Sequence, residues 1–341
     1  MGEGIQYIKM KQITLSHGSG GKLMHDLVKD LFLKNLDNPF LAKLGDAAVI
    51  KFKGRKLAYT TDSFVVKPLF FSGGDIGKLA ICGTVNDLAV SGAMPEYLSC
   101  AMIVEDGFSY DDLEKITQSL KTACKYAGVR IVTGDFKVVE KGSADGIFIN
   151  TSGVGEVFEN ADMAISRIRP GDKIVISGTI GDHASAMLLA REELKFKARI
   201  SSDCSPLNNL VSSIICKDIK FMRDPTRGGL ATTLNEISLT SGYNIAIEEA
   251  NIPIKKSVRT LCEILGFDPL YMANEGKLIA IVSQDAAANV LLKMRRHALG
   301  KDARIIGEVK KEKDKKVYLK TQSGGSRILD MMTGEQLPRI C

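Results

Sequence analysis

Five aspartates stand where apolar runs give way to polar ones: Asp46 in LGDAAV, Asp62 in YTTDSF, Asp87 in TVNDLAVSGA, Asp135 in VTGDFK and Asp224 in MRDPTRGG. Asp62 and Asp135 each follow an apolar run, so a strand would deliver them to a common rim. Asp87 lies within a nearly apolar helical stretch, flanked by Val85, Leu88, Ala89 and Val90. A carboxylate there is costly unless paired or bound to a cation. Several hard oxygen donors without a Cys/His cluster suit Mg²⁺, held together with substrate phosphates. Taken singly, each aspartate is better explained as a cap or an ion-pair partner; taken together they favour a metal.

Three further segments carry chemistry. SHGSGGK at 16–22 departs from a P-loop, because Ser16 stands where the first glycine belongs and Leu23 follows the lysine. Gly20, Gly21 and Lys22 nonetheless open an amphipathic stretch, KLMHDLVKDLF, and such a turn either caps a helix or offers backbone N–H groups to a phosphate. DPTRGGL at 224–230 sets Asp and Arg ahead of two glycines, which reads as an anion or metal-edge loop or as a capped helix start. The sequence ends in LPRIC. A thiol on a mobile tail is either a surface accident or an acyl carrier, and Arg339 would favour its thiolate while the chain carboxylate opposes it.

These residues need elements to hold them. DAAVIKF, KLAYTTD, PEYLSCAMIVE, VRIVTGD and GIFINTSGVG read as strands, as do 173–177, 243–248, 277–283, 303–309 and 316–320. Length and three- and four-residue apolar spacing predict helices over 75–91, 110–127, 182–194, 206–216, 228–241, 256–265 and 284–297. Mixed strands and helices in each half give an α/β (α+β) class with two domains. The expected division is an arm with the glycine loop at 1–42, a first domain at 43–160, a second at 161–320 and a flexible tail at 321–341.

The 341 residues carry 46 Lys and Arg against 40 Asp and Glu. A net charge of +6 is too mild to imply nucleic-acid binding, and no basic–aromatic run supports it. No apolar stretch reaches the ~18 residues that cross a bilayer. Seven cysteines, with no CxxC pair and mostly in apolar stretches, argue against a disulfide scaffold or a zinc site and point to the cytoplasm.

Taken together, GSGGK, the block TTDSFVVKPLFFSGGDIGKLAICGTVNDLAVSGAMP, VTGDFKVV, DPTRGGLATTLNE and PRIC resemble the HypE family of hydrogenase maturation factors. That family belongs to the superfamily of aminoimidazole ribonucleotide synthetase, selenophosphate synthetase and thiamine-phosphate kinase. The glycine loop has Ser19 where a selenophosphate synthetase is expected to carry Cys or selenocysteine, which disfavours that branch. The resemblance implies two domains of the synthetase type, with N-domains pairing into a barrel-like homodimer core and the nucleotide near the seam. It implies an ATP-dependent carbamoyl dehydratase: the carbamoyltransferase HypF loads Cys341, ATP drives dehydration to a thiocyanate, and the cyano group passes to iron on the HypC–HypD pair. On this resemblance Asp46, Asp62, Asp87 and Asp224 hold Mg²⁺ and the ATP phosphates, with Asp135 supporting the nucleotide site. Gly20, Gly21 and Lys22 close over the phosphates, and Lys137 and Glu275 position and deprotonate the thiocarboxamide. His17 and His183 are weaker candidates for substrate contact. A carrier without turnover, or a small-molecule phosphotransferase, are the alternatives.

Overall fold

The computed structural model describes residues 21–33, 41–191, 199–332, 337 and 339–341. Gly20, Ser19 and His17 lie outside the described residues. Helix α1 (Lys22–Leu27) runs into a wider turn at Val28–Leu33. The backbone N–H of Lys22 donates to Met332 O (3.1 Å), which ties the arm to the C-terminal segment.

The first sheet has five strands, in the order β1 (Ala48–Phe52), β2 (Arg55–Phe64), β7 (Ile147–Val157), β5 (Ala93–Glu105) and β6 (Arg130–Val139). All neighbours are antiparallel except β5 and β6, and no barrel closes among the described residues. A two-stranded hairpin, β3 (Phe70–Phe71) with β4 (Gly74–Asp75), precedes α2 (Ile76–Val90). Asp75 caps α2 by accepting from the N–H groups of Gly77 and Lys78. Thirteen of its fifteen residues are buried, so it is apolar nearly all round, as a helix packed on every side must be. By contrast α3 (Tyr110–Ala127) is amphipathic, capped by Ser109 and stopped by Gly128 in the left-handed region.

The second sheet has seven strands. Its order is β14 (Ser326–Ile328), β13 (Val317–Lys320), β10 (Ile245–Glu248), β12 (Arg304–Val309), β8 (Lys173–Ile176), β11 (Ile279–Val282) and β9 (Ile219–Arg223). One face is covered by α6 (Gly229–Ser241), the other by α5 (Asn208–Ile214) and α8 (Ala287–Arg296). Helices α4 (Asp182–Ala190) and α7 (Lys256–Leu265) lie toward the first domain and share its apolar core. The two halves meet on α2, whose Leu79 and Ile81 belong to the first core while Ala89 and Val90 pack with α5 and α8.

The segment expected to be a flexible tail is docked over its described part. β14 pairs with β13, and Leu329 is fully buried. Further on, Lys67 N–H donates to Arg339 O and Val65 N–H to Cys341 O, both at 3.1 Å. Ile340 is buried within the first core. None of the described helices is long and apolar enough to cross a membrane.

Candidate active site

Successive side chains of a strand alternate between faces, so Ala58, Thr60, Asp62 and Phe64 of β2 share the face toward α2. A side chain at Gly83 of α2 would meet Phe64 Cζ at 2.9 Å and Asp62 Oδ2 at 3.5 Å. Glycine there lets strand and helix approach closely. Asp87 lies one turn on, on the same helix face. The Thr60 hydroxyl, 3.0 Å from Asp87 Oδ2 and 2.8 Å from Asp46 O, binds these two positions together. Asp224 joins from the second domain, at the end of β9. Its loop reaches α6 through Gly228 and Gly229, both at positive φ, and a Cβ on Gly229 would meet Met272 O at 2.6 Å.

The four carboxylates repel one another. Burial, followed by Asp224, Asp46 and Asp62, pushes Asp87 well above the usual range, with Thr60 opposing. Burial and then Asp46 push Asp224 up to about 7, against the pull of Arg223. Burial likewise raises Asp46 and Asp62, which Arg223 and Arg227 respectively pull back. Arg223 bonds Asp46 at 3.0 Å and Glu236 at 3.1 Å. Burial raises Glu236, Arg223 pulls it back and Asp46 adds to the rise, with a smaller opposing pull from His25 of α1. Among the described residues, no three His, Cys, Asp or Glu side chains converge as a complete metal site. The donor set fits Mg²⁺ all the same, because that ion keeps waters and substrate phosphates among its ligands and takes only one or two carboxylates.

Glu275 lies beside this cluster, on the loop before β11. Its N–H donates to Asp203 Oδ1 (3.2 Å), and its carbonyl accepts from Asn86 of α2 (3.2 Å) and Ser205 N–H (3.3 Å). Asp203 in turn accepts from Lys277 at 3.0 Å. The Glu275 carboxyl is buried with Oε1 unpartnered. Burial, then Cys204, Asp224, Asp203 and Asp62, pushes it well above the usual range. The half-buried Cys341 thiol sits within the same electrostatic environment. Burial pushes it up to about 12, Arg227 opposes, and Glu275 and Asp62 add to the rise. The docked sulfur is therefore a thiol, not a thiolate.

Two expected site residues lie elsewhere in the chain. The strand register aligns Asp62 with Thr151, Cys100 and Gly134, whereas Asp135 aligns with Ala101, Asn150 and Ser63. Asp135 and Lys137 therefore face away from the helices, on the opposite side of the sheet from Asp62. They are also three strands off, roughly 14–15 Å at ordinary strand spacing. Both are exposed and pair with each other. Lys22 is exposed and Gly21 buried at the start of α1. A cleft of about 830 Å³ between α3 and the edge of β6, lined by Cys100, Leu120 and Cys124, does not include the four carboxylates. Asp203, Lys277 and Asn86 were not singled out by sequence reasoning, and Arg227 only as part of its loop. The arginine in DPTRGG was the available signal.

Family models for the N-terminal and C-terminal domains of AIR synthase related proteins match residues 44–157 and 169–320. The two mixed sheets are thus the N- and C-terminal domains of an AIR synthase related protein. The carbamoyl dehydratase HypE of Bradyrhizobium diazoefficiens is 48% identical over 332 residues, covering 96% of each chain. A crystal structure of a HypE–HypF complex matches with a TM-score of 0.85 at 51% identity, over 90% of this chain and 99% of that one. A structure of the hydrogenase maturation protein HypE in complex with ATP matches at 0.81 and 47%, over 97% and 100%. The chain belongs to the HypE family.

Proposed function

We propose that the protein uses ATP to dehydrate a carbamoyl group carried on the sulfur of Cys341, converting an S-carboxamide to an S-cyanate. The observation that carries this reading is the docking of Cys341 beside Glu275 and Arg227, at the edge of the carboxylate cluster. A carboxamide oxygen is a poor leaving group, and phosphorylation makes it a good one. One nitrogen proton is lost as ATP phosphorylates the oxygen and ADP leaves, and the second is lost as the C≡N bond forms and phosphate departs with the oxygen. Glu275, oriented through its backbone by Asp203 and Asn86, is the base for that proton. Arg227 is the cation beside the sulfur and steadies the departing charge. Mg²⁺, where bound, neutralises the phosphates, and Asp46, Asp62, Asp87 and Asp224 are the residues to hold it, with Gly21 and Lys22 of the arm closing from above. The test is the mass of carbamoylated Cys341 before and after ATP. Loss of one water is expected, and an unchanged mass with ATP bound overturns the reading.

A relative solved with HypF supports one of the partner assignments. HypF, solved in complex with a HypE, is the carbamoyl donor in this reading. The HypC–HypD pair accepts the cyano group, and the setting is cytoplasmic. Because Ile340 is buried in the first core and Cys341 packs against it, loading requires the tail to leave its seat. Mg·ATP should then slow the labelling of Cys341 by a bulky thiol reagent; equal labelling with ATP bound would mean the tail ignores nucleotide.

A homodimer is supported by the face of the first sheet that carries no helix among the described residues. Tyr59, Tyr97 and Ile103 are 43–50% exposed there, and among the described residues the outer edge of β6 is unpaired. Such a face and edge invite association. A second copy laid on it would bring Asp135 and Lys137 to the seam, where each can serve the partner's nucleotide and thiocarboxamide. Tyr97→Glu with Ile103→Glu should give a folded monomer by sedimentation; a dimer that persists would place the contact elsewhere.

A further inference from the structure

His183 is the second residue of α4 and is fully buried, its ring edge-on to Phe71 with centroids 5.5 Å apart. Its Nε2 lies 2.8 Å from the carbonyl oxygen of Ile340, and its Nδ1 lies 2.8 Å from Ser202 Oγ. A carbonyl has no proton to give, so Nε2 must be the donor. In the neutral ring Nδ1 is then an acceptor, and the Ser202 hydroxyl must donate to it. That serine is consistent with the role, since its oxygen already accepts from Cys204 N–H (3.0 Å) and leaves its proton free. Burial lowers the pKa of His183 and keeps the ring neutral. One proton arrangement therefore satisfies every atom.

Two connections run from this ring to the base. Asp203, next to Ser202, accepts the N–H of Glu275. On the other side Gly181, two residues before His183, donates its N–H to Asn274 Oδ1 (2.8 Å), and Asn274 precedes Glu275. On the tail side, Ile340 immediately precedes Cys341. The Ser202 N–H further fixes the segment to Ser72 O (2.8 Å) of the β3–β4 hairpin, so both domains hold it.

We propose that His183 is a positioning residue for the dehydration: through its hydrogen bond to Ile340 it sets where the sulfur of Cys341 stands relative to the Glu275 carboxyl. A buried histidine that merely stabilised the fold would not govern the reactivity of one cysteine. The inference rests on the reaction proposed above for its turnover readout, but not for its labelling readout.

The experiment compares His183→Leu, His183→Gln and Ser202→Ala with the parent chain. Glutamine can place an amide N–H near the position of Nε2, while leucine cannot donate. Three quantities are measured: labelling of Cys341 by a thiol reagent, localised by peptide mass; ATP affinity; and single-turnover loss of water from carbamoylated Cys341. Loss of one net hydrogen bond shifts a two-state balance by about five- to tenfold. His183→Leu should therefore label about five- to tenfold faster and lose water correspondingly more slowly. ATP affinity should stay within about twofold, and His183→Gln should recover most of both effects. Should His183→Leu fail to fold, Ser202→Ala decides by the same labelling assay, because loss of the serine donor leaves Nδ1 without its partner and frees the ring to turn away from Ile340 O. Unchanged labelling in a folded His183→Leu, or in Ser202→Ala where leucine is not tolerated, overturns the proposal. A parent chain that loses no water with ATP bound overturns the reaction instead and leaves the labelling result standing.

Discussion

Glu275→Gln is expected to bind ATP as the parent does, yet to dehydrate carbamoylated Cys341 about 10²–10⁴-fold more slowly, the usual effect of losing a general base. Glutamine keeps the shape, and the backbone bonds to Asp203, Asn86 and Ser205 do not involve the side chain. Folding and nucleotide binding should therefore survive. The buried carboxyl, raised well above its ordinary range, also shapes the pH profile. Only the ionised form accepts a proton, so the parent's single-turnover rate should climb with pH through the raised pKa and then level. The limb lies at higher pH than an ordinary glutamate would place it, and it should vanish in Glu275→Gln. A rate within a few-fold of the parent would make Glu275 structural and pass the base role to Lys137 or a water.

Asp87→Asn should move ligand binding and stability in opposite directions. Loss of a ligand should weaken Mg·ATP by at least the roughly 10–100-fold that removal of an outer-shell partner costs at metal sites. Without ligand, the same change relieves repulsion from Asp224, Asp46 and Asp62. In the folded parent Asp87 holds its proton at pH values where the unfolded chain has released it, and Asp224 does so up to about 7. Their contribution is therefore fully present below the ordinary carboxylate pKa and is lost as pH rises through the raised values. The ligand-free asparagine variant should unfold at higher temperature than the parent at pH 8, with the gap closing toward pH 5. Mg·ATP should stabilise the parent far more than the variant. Lower stability of the ligand-free variant at pH 8 would mean that Asp87 is paired rather than repelled. Asp62→Asn should act alike and not additively, since both carboxylates face the same charge.

Elements with strong local rules were legible in the sequence. α3 shows an apolar stripe between a serine cap and a glycine stop, and α2 shows an almost unbroken apolar run interrupted by Asp87. β9 escaped because its five residues, IKFMR, are few and do not alternate cleanly, although they deliver Arg223 and Asp224. Asp46, Asp62, Asp87 and Asp224 could be picked out by residue type. The separation of Asp135 and Lys137 from them could not, because it depends on β5 aligning Gly134 rather than Asp135 with Asp62, and pairing register is not written in any one strand. The tail's seat was equally hidden. Its bonds join the backbone of Arg339, Ile340 and Cys341 to residues 65, 67 and 183, and no local pattern announces a backbone acceptor.

Helix α2 carries a mechanical consequence. Asp87 points to the first domain's strands, while the adjacent Asn86 is bonded to Ser205 O, Glu275 O and Leu207 N–H of the second. Both ends of the rod are sunk in apolar cores. A clamshell opening of the domains would have to pull Ala89 and Val90 away from α5 and α8 and strand the Asn86 amide without partners, so hinge bending is a poor way to admit or release anything. Traffic must instead follow the cheaper route of unseating a few residues around Cys341, and the gate and the cargo become the same piece of chain.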